Sequence, residues 1–439
     1  MASFIHNITF NTISRILIAL FSALSTIIIA RAFGPVGKGV FTMAAFLPSL
    51  ALNFGHFGLG NANTYLIAQD KEKTKKSFYN SFWLGLIIGY IFIVVFALLY
   101  RFYPEQILGK GDIGIRYFLL SLFTVPFVLW ENFYQGIFVG KQEFKFFNLV
   151  SLLSKVLLFI GLILFACLLK LDMRVSVIYY LLLMILPAVI YTIYFFSKYG
   201  FPIEFDKEIF KQTISYGFRS YLACLLAFLI LRSDIYILNY FRGLEEVGLY
   251  SLAVGFCDGI LLLVSSITLV LFPKITENQE QALDLTLKVC RITSFIVGLI
   301  ILICFIFGKL FISLIFGNQF LASLPAFYIL LPAAYFWSLI SFLTQFLASK
   351  GIPWPTVYLW LPGVCVNIIL NIIFIPKYGI VAAALTSLIA YFVTFILYFI
   401  YLQTFNKIHI SNLVIPRLTD LKSIIQNIFK KYENQPTRI

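Results

Sequence analysis

Four basic residues, Arg15, Lys155, Arg219 and Arg232, fall inside apolar stretches long enough to cross a bilayer. Three acidic residues, Glu131, Asp234 and Asp258, do the same. A charge at the bilayer centre costs at least ~2.5–3.5 kcal/mol on insertion scales, so such groups face a partner or a wet cavity and mark substrate or ion pathways. Their spacing points to a cavity. Asn11, Arg15, Ser22 and Thr26 recur on one helical face, as do Asn148, Ser151 and Lys155. Ser251, Gly255, Asp258 and Ser265 form a third stripe, and Asn53, His56, Gly60 and Asn63 a fourth. The plainer readings differ by residue. Arg232 and Asp234 lie two apart on different faces, so each pairs with another helix, and Asp234 serves equally well as a structural counter-ion. Arg219 and Glu131, near span ends, are placed to snorkel. His56 reads as a packed, hydrogen-bonded histidine. Trp130 and Trp337 read first as packing aromatics and second as platforms for sugar rings.

The elements that must hold these residues follow from composition. Of 439 residues, 61% are hydrophobic and 12% charged, and the mean hydropathy is +0.95. A soluble domain carries about 25% charge; here no globular core could absorb the apolar surface. The fold class is all-α and polytopic. Runs of about 20 apolar residues place twelve spans near 8–30, 39–66, 78–100, 115–139, 146–169, 175–197, 213–240, 247–272, 289–307, 322–348, 353–375 and 379–402. The six cysteines sit in apolar runs without metal or disulfide spacing; no metal and no cofactor is expected. The first apolar segment reads as an uncleaved span.

Alternate connections from the one after span two, together with the C-terminal tail, carry nineteen lysines and arginines, against ten on the opposite side. That asymmetry places both termini in the cytoplasm. It also accounts for most of the formal charge of +14; the basic residues form no single patch, which argues against a nucleic-acid partner. In the tail, Leu421, Ile424, Ile425 and Ile428 repeat at helical spacing beside lysines, a pattern for a helix lying on the anionic leaflet.

The chain also repeats. Arg31-Ala-Phe-Gly-Pro-Val-Gly37 reappears 211 residues later as Arg242-Gly-Leu-Glu-Glu-Val-Gly248, and Gly140 beside Lys141 maps by the same offset onto Gly351 beside Lys350. Six spans per half give both halves one orientation, with a pseudo-axis along the membrane normal. The expected domains are a six-helix bundle at 1–200, a connector at 201–212, a second six-helix bundle at 213–402, and a basic tail at 403–439, with a central cavity between the bundles.

These motifs resemble a known family. Ala30-Arg31-Ala-Phe-Gly34-Pro35-Val-Gly37, Val247-Gly248-Leu-Tyr250-Ser251, Leu271-Phe272-Pro273-Lys274, and Asn367-x-x-x-Asn371 followed by Ile375-Pro376-x-x-Gly379-Ile380 look like the polysaccharide-biosynthesis, or oligosaccharide flippase, family. Phe218-Arg219 departs from it, where many relatives carry a proline after the Tyr-Gly pair. The resemblance implies the fold of the multidrug and toxic-compound extrusion transporters. It implies no enzymatic activity but the flipping of an undecaprenyl-diphosphate-linked oligosaccharide to the outer leaflet of the bacterial inner membrane, for O-antigen, capsule or another surface polysaccharide. The implied partners are that lipid-linked oligosaccharide, membrane lipids and other polysaccharide assembly proteins, and the protein is expected as a monomer. Arg15, Lys155, Arg219 and Arg232 would then receive the diphosphate, since arginine makes bidentate hydrogen bonds to phosphate, and Asn11, Glu131, Asn148, Asp234 and Asp258 would line the cavity or serve coupling. The alternative on the same fold is a cation-coupled multidrug exporter, but that predicts a carboxylate in span one, where this chain has Arg15. A membrane-embedded polymerase predicts a large external loop, and the longest here, about 101–114, is short. A peptidoglycan-precursor flippase usually has two further spans.

Overall fold

A computed structural model describes residues 2–104, 110, 114–351, 354–406, 409–414 and 417, without the side chains of 2–12, 216, 219, 220, 269 and 273. All regular structure among them is helical. In chain order the long helices are α1 (Ala2–Gly55), α2 (Leu59–Gln69), α3 (Thr74–Phe102), α4 (Ile115–Gly140), α5 (Phe144–Leu162), α6 (Met173–Tyr199), α7 (Lys207–Arg242), α8 (Leu244–Glu277), α9 (Ala282–Ile315), α10 (Leu324–Ser349) and α11 (Leu361–Asn406). Nine helical segments of the described residues are long and apolar enough to cross a membrane, and two of them, Ile13–Gly55 and Pro355–Asn406, hold 43 and 52 residues. At 1.5 Å per residue each would exceed about 60 Å, twice the hydrocarbon thickness. Each is divided by a glycine with positive φ, Gly34 (φ 66°) in α1 and Gly379 (φ 56°) in α11. Counting each as a pair, and adding α4, gives the twelve crossings expected.

The second of these kinks is a hairpin. The Asn371 amide donates to Asn367 Oδ1 at 3.0 Å, the Thr386 hydroxyl donates to Asn371 Oδ1, and Asn367 donates to Ser387 Oγ at 3.5 Å. All four side chains are buried, so the asparagine pair of the sequence motif ties the two arms of α11 across the turn at Gly379.

Span two differs from its expected form. The helix stops at Gly55 and restarts at Leu59, because Phe57 (φ 42°) and Gly58 (φ 75°) are left-handed. His56 Nδ1 accepts the Gly58 N–H at 3.0 Å and holds the break. The expected stripe Asn53–His56–Gly60–Asn63 is therefore not one helical face. Asn63 instead turns inward on α2 and donates to Ser81 Oγ (2.9 Å) and to the Phe133 carbonyl (3.2 Å).

Contacts group the chain into two units: Met1–Ser251 with Ile312–Ala322 and Ile375–Ile380, and Leu252–Phe311 with Ser323–Phe374 and Val381–Ile439. In the first, α4 is central, packing on α1, α2, α3 and α6. Aromatic residues fill one end: Phe78, Phe82, Trp130, Tyr134, Phe138, Phe147, Tyr191 and Phe195 are buried together. Aliphatic packing of Ile29, Val40, Leu158, Leu162, Val177 and Leu181 fills the other. In the second, Trp337 packs on Trp360 and Tyr391, each at 5.1 Å. The expected amphipathic tail helix lies outside the described residues.

Candidate functional site

The mid-span polar groups of the first unit converge between α4, α5 and α6. Lys155 is half-buried at the middle of the span Phe144–Leu168. Its ammonium lies within electrostatic range of the Glu131 carboxyl on α4, without a closed salt bridge. Glu131 in turn acts on Tyr191 of α6. The Tyr191 hydroxyl donates to the Phe147 carbonyl at 3.1 Å and sits 3.5 Å from Ser151 Oγ, one turn before Lys155. Asn148, on the same face of α5, is fully buried. On α5, Ser151 thus reaches a phenol of α6, and Lys155 lies within electrostatic range of a carboxylate of α4. Among the described residues no carboxylate forms a salt bridge with Lys155.

Arg15 is exposed on α1. Phe21 of α1 meets Phe159 of α5 at 5.5 Å. With both helices running the same way across the membrane, Arg15 lies about 9 Å below that contact and Lys155 about 6 Å. Asn11 and Arg219 have no described side chain. Arg232 is half-buried and engaged. Asp234 is 1% exposed; it accepts the Ile235 N–H at 2.8 Å and the Tyr250 hydroxyl. That is how a buried carboxylate is held in place. Asp258 is half-buried in the second unit. Tyr191 was missed in the sequence, where the tyrosines looked interfacial.

The duplicated motifs meet each other within the first unit. A Cβ on Gly39 would sit 1.9 Å from the Leu244 carbonyl oxygen, and one on Gly248 would sit 1.8 Å from that of Pro35. Two backbones cross there at a distance only glycine allows. Around the crossing, Arg31 donates from Nε to the Ile315 carbonyl (2.8 Å) and from Nη2 to that of Leu314, satisfying orphan acceptors at the end of α9. Arg242, its repeat counterpart, pairs with Glu246 at 2.6 Å, and Glu246 Oε2 accepts the Ile380 N–H at 3.2 Å, just past the Gly379 kink. A cavity of about 380 Å³ opens beside Arg31, lined by Ser313, Phe316, Gly317, Asn318 and Gln319.

The polysaccharide biosynthesis protein family matches residues 4–279. The chain belongs to that family. A membrane protein of Methanocaldococcus jannaschii is 24% identical over 420 residues, which are 89% of this chain and 82% of that one. The teichuronic acid biosynthesis protein TuaB of Bacillus subtilis is 25% identical over 271 residues, 59% of this chain and 54% of that one. Among solved structures, the lipid II flippase MurJ in an inward closed conformation superposes with a TM-score of 0.76 over 98% of this chain and 93% of its own, at 17% identity. An inward-facing multidrug resistance MATE family transporter of the MOP superfamily gives 0.70 over 89% and 96%, also at 17%. The fold is thus the one these two solved structures share, as the sequence motifs implied, and this member of the family is a multi-pass membrane protein.

Proposed function

We propose that this chain flips an undecaprenyl-diphosphate-linked oligosaccharide from the cytoplasmic to the outer leaflet of the bacterial inner membrane, with both termini in the cytoplasm. The observation that carries the reading is Lys155: a mid-span amine within electrostatic range of Glu131 and one turn after Ser151, with no salt bridge to it among the described residues. A phosphate oxygen reaching that depth replaces hydration lost by both charges and gains a charge-assisted hydrogen bond. Arg15 of α1 supplies a second cation, and Arg219 and Arg232 of α7 are the further candidates. Asn11 of α1 is a further candidate for the polar lining, whereas Asn148 and Asp234 are enclosed. The head group crosses among these residues while the polyprenyl chain stays in lipid, and alternating access moves one half against the other. Family membership and the TuaB relationship support a polysaccharide cargo; which surface polysaccharide is left to experiment. The protein works as a monomer beside other assembly proteins.

The exporter reading is weaker because span one carries a cation where a cation-coupled exporter needs a carboxylate. The test is export of surface glycan in cells relying on this chain. Lys155→Ala and Arg15→Ala are each expected to cut export about tenfold or more at normal membrane abundance. Wild-type export from both variants sinks the reading.

A further inference from the structure

The aromatic end of the first unit carries a second cationic group, remote in sequence from the mid-span residues. Lys141 follows α4, and its side chain is only 11% exposed. The like charge of Lys198, in the last turn of α6, acts on it as well. One carboxylate serves the pair: Glu143 bridges Lys141 and accepts the Tyr194 hydroxyl at 3.3 Å, and Lys198 donates to that hydroxyl at 3.4 Å. Burial holds the Lys141 amine below the ordinary lysine value; Glu143 opposes the shift and Lys198 adds to it.

Tyrosine rings form the floor. Lys198 lies 5.6 Å from the Tyr194 ring centre and 5.8 Å from that of Tyr199, and Lys75 lies 5.5 Å from Tyr79. Tyr79 donates to the Tyr199 carbonyl at 2.8 Å, which joins the two ends of the shelf. Lys75 and Lys198 are exposed. Glu143 pairs directly with Lys141 and reaches Lys198 only through the Tyr194 hydroxyl, while Lys75 stands over Tyr79 at the other end of the shelf. The amines thus outnumber the carboxylate, and an added anion offsets their repulsion.

A separate feature shows what kind of anion fits. The segment after Gly200 presents Phe201, Ile203 and Phe205, which are 58%, 85% and 40% exposed. These three large apolar side chains follow directly on the last turn of α6 that carries Lys198, and Phe201 packs on Phe82 and Phe196. Lys75 and Lys198 lie at the ends of the spans Lys71–Phe102 and Met173–Tyr199, the level of lipid headgroups, where tyrosine is at home.

We propose that Lys75, Lys141 and Lys198, on the shelf of Tyr79, Tyr194 and Tyr199, bind the phosphate of an anionic membrane lipid whose acyl chains lie against Phe201, Ile203 and Phe205. The site stands apart from the mid-span cations and holds whether or not they carry cargo.

The full-length protein in neutral detergent is titrated by calorimetry with dioctanoyl phosphatidylglycerol, dioctanoyl phosphatidylcholine and inorganic phosphate. Phosphatidylglycerol is expected to bind about tenfold or more tighter than the other two. The double variant Lys75→Gln/Lys198→Gln, exposed at both positions and so expected to fold, weakens it about tenfold, and Ile203→Ser weakens it without affecting inorganic phosphate. Arg15→Ala/Lys155→Ala binds as wild type. Unchanged phosphatidylglycerol affinity in the lysine double variant overturns the site; inorganic phosphate binding as tightly as phosphatidylglycerol overturns the assignment to lipid.

Discussion

Asp234 and Tyr250 show how a charged residue in a span is kept. The carboxylate is enclosed, and one of its donors is the Tyr250 hydroxyl, sixteen residues away on the next helix. Tyr250→Phe removes that donor and leaves a buried acceptor short, at a cost of about 1–3 kcal/mol. A clear fall in melting temperature is expected in detergent; an unshifted transition rules this out. Asp206 acts outside the membrane. Its carboxylate accepts the Ile209 and Glu208 N–H groups at 2.9 and 3.0 Å and pairs with Lys76 at 2.8 Å. The Ile209 N–H first, and then Lys76, hold its carboxyl below the ordinary value. A carboxyl lowered on folding stabilises the fold above its unfolded value and loses that contribution as pH falls through the lowered one. Acidification should therefore narrow the melting-temperature gap between wild type and Asp206→Asn, and a gap independent of pH contradicts the cap. Of these residues, the lone charges were legible because ions stand out in apolar runs. Their partners were not, since Tyr191 reaches Ser151 and Tyr250 reaches Asp234 from other helices, and helix pairing is not written in spacing along one strand of sequence.

At the scale of elements, the kinks were legible where glycine and proline sit together, as at Gly34-Pro35. The break at 56–58 was not. Half of it is Phe57 in a left-handed conformation, which no residue preference announces, and the polar stripe drawn across it was an artefact of assuming a continuous helix. The crossing of the duplicated motifs gives a sharp test. Gly248→Ala drives a methyl into the Pro35 carbonyl, whereas Gly255→Ala meets nothing within 4 Å. Gly248→Ala is expected to abolish monodisperse protein and Gly255→Ala to leave the yield unchanged, as read by size exclusion; equal behaviour of the two contradicts the close approach.

For the whole molecule, composition and run length gave the helical class and the crossings, because a bilayer leaves few other ways to satisfy the backbone. Orientation rests on the basic bias alone. Cysteines placed at Lys71 and at Val36 in a chain freed of its own cysteines should react with impermeant maleimide from opposite sides, Lys71 only after permeabilisation; the reverse would invert the topology. The proposed cargo is anionic, and Lys155 is the residue proposed to meet its charge. The direct measurement is the initial rate of flipping of a fluorescent undecaprenyl-diphosphate-linked sugar in proteoliposomes. Lys155→Ala is expected to run about tenfold slower or worse and Lys155→Arg to keep most of the rate, while a correctly folded Lys155→Ala at the wild-type rate would contradict the account.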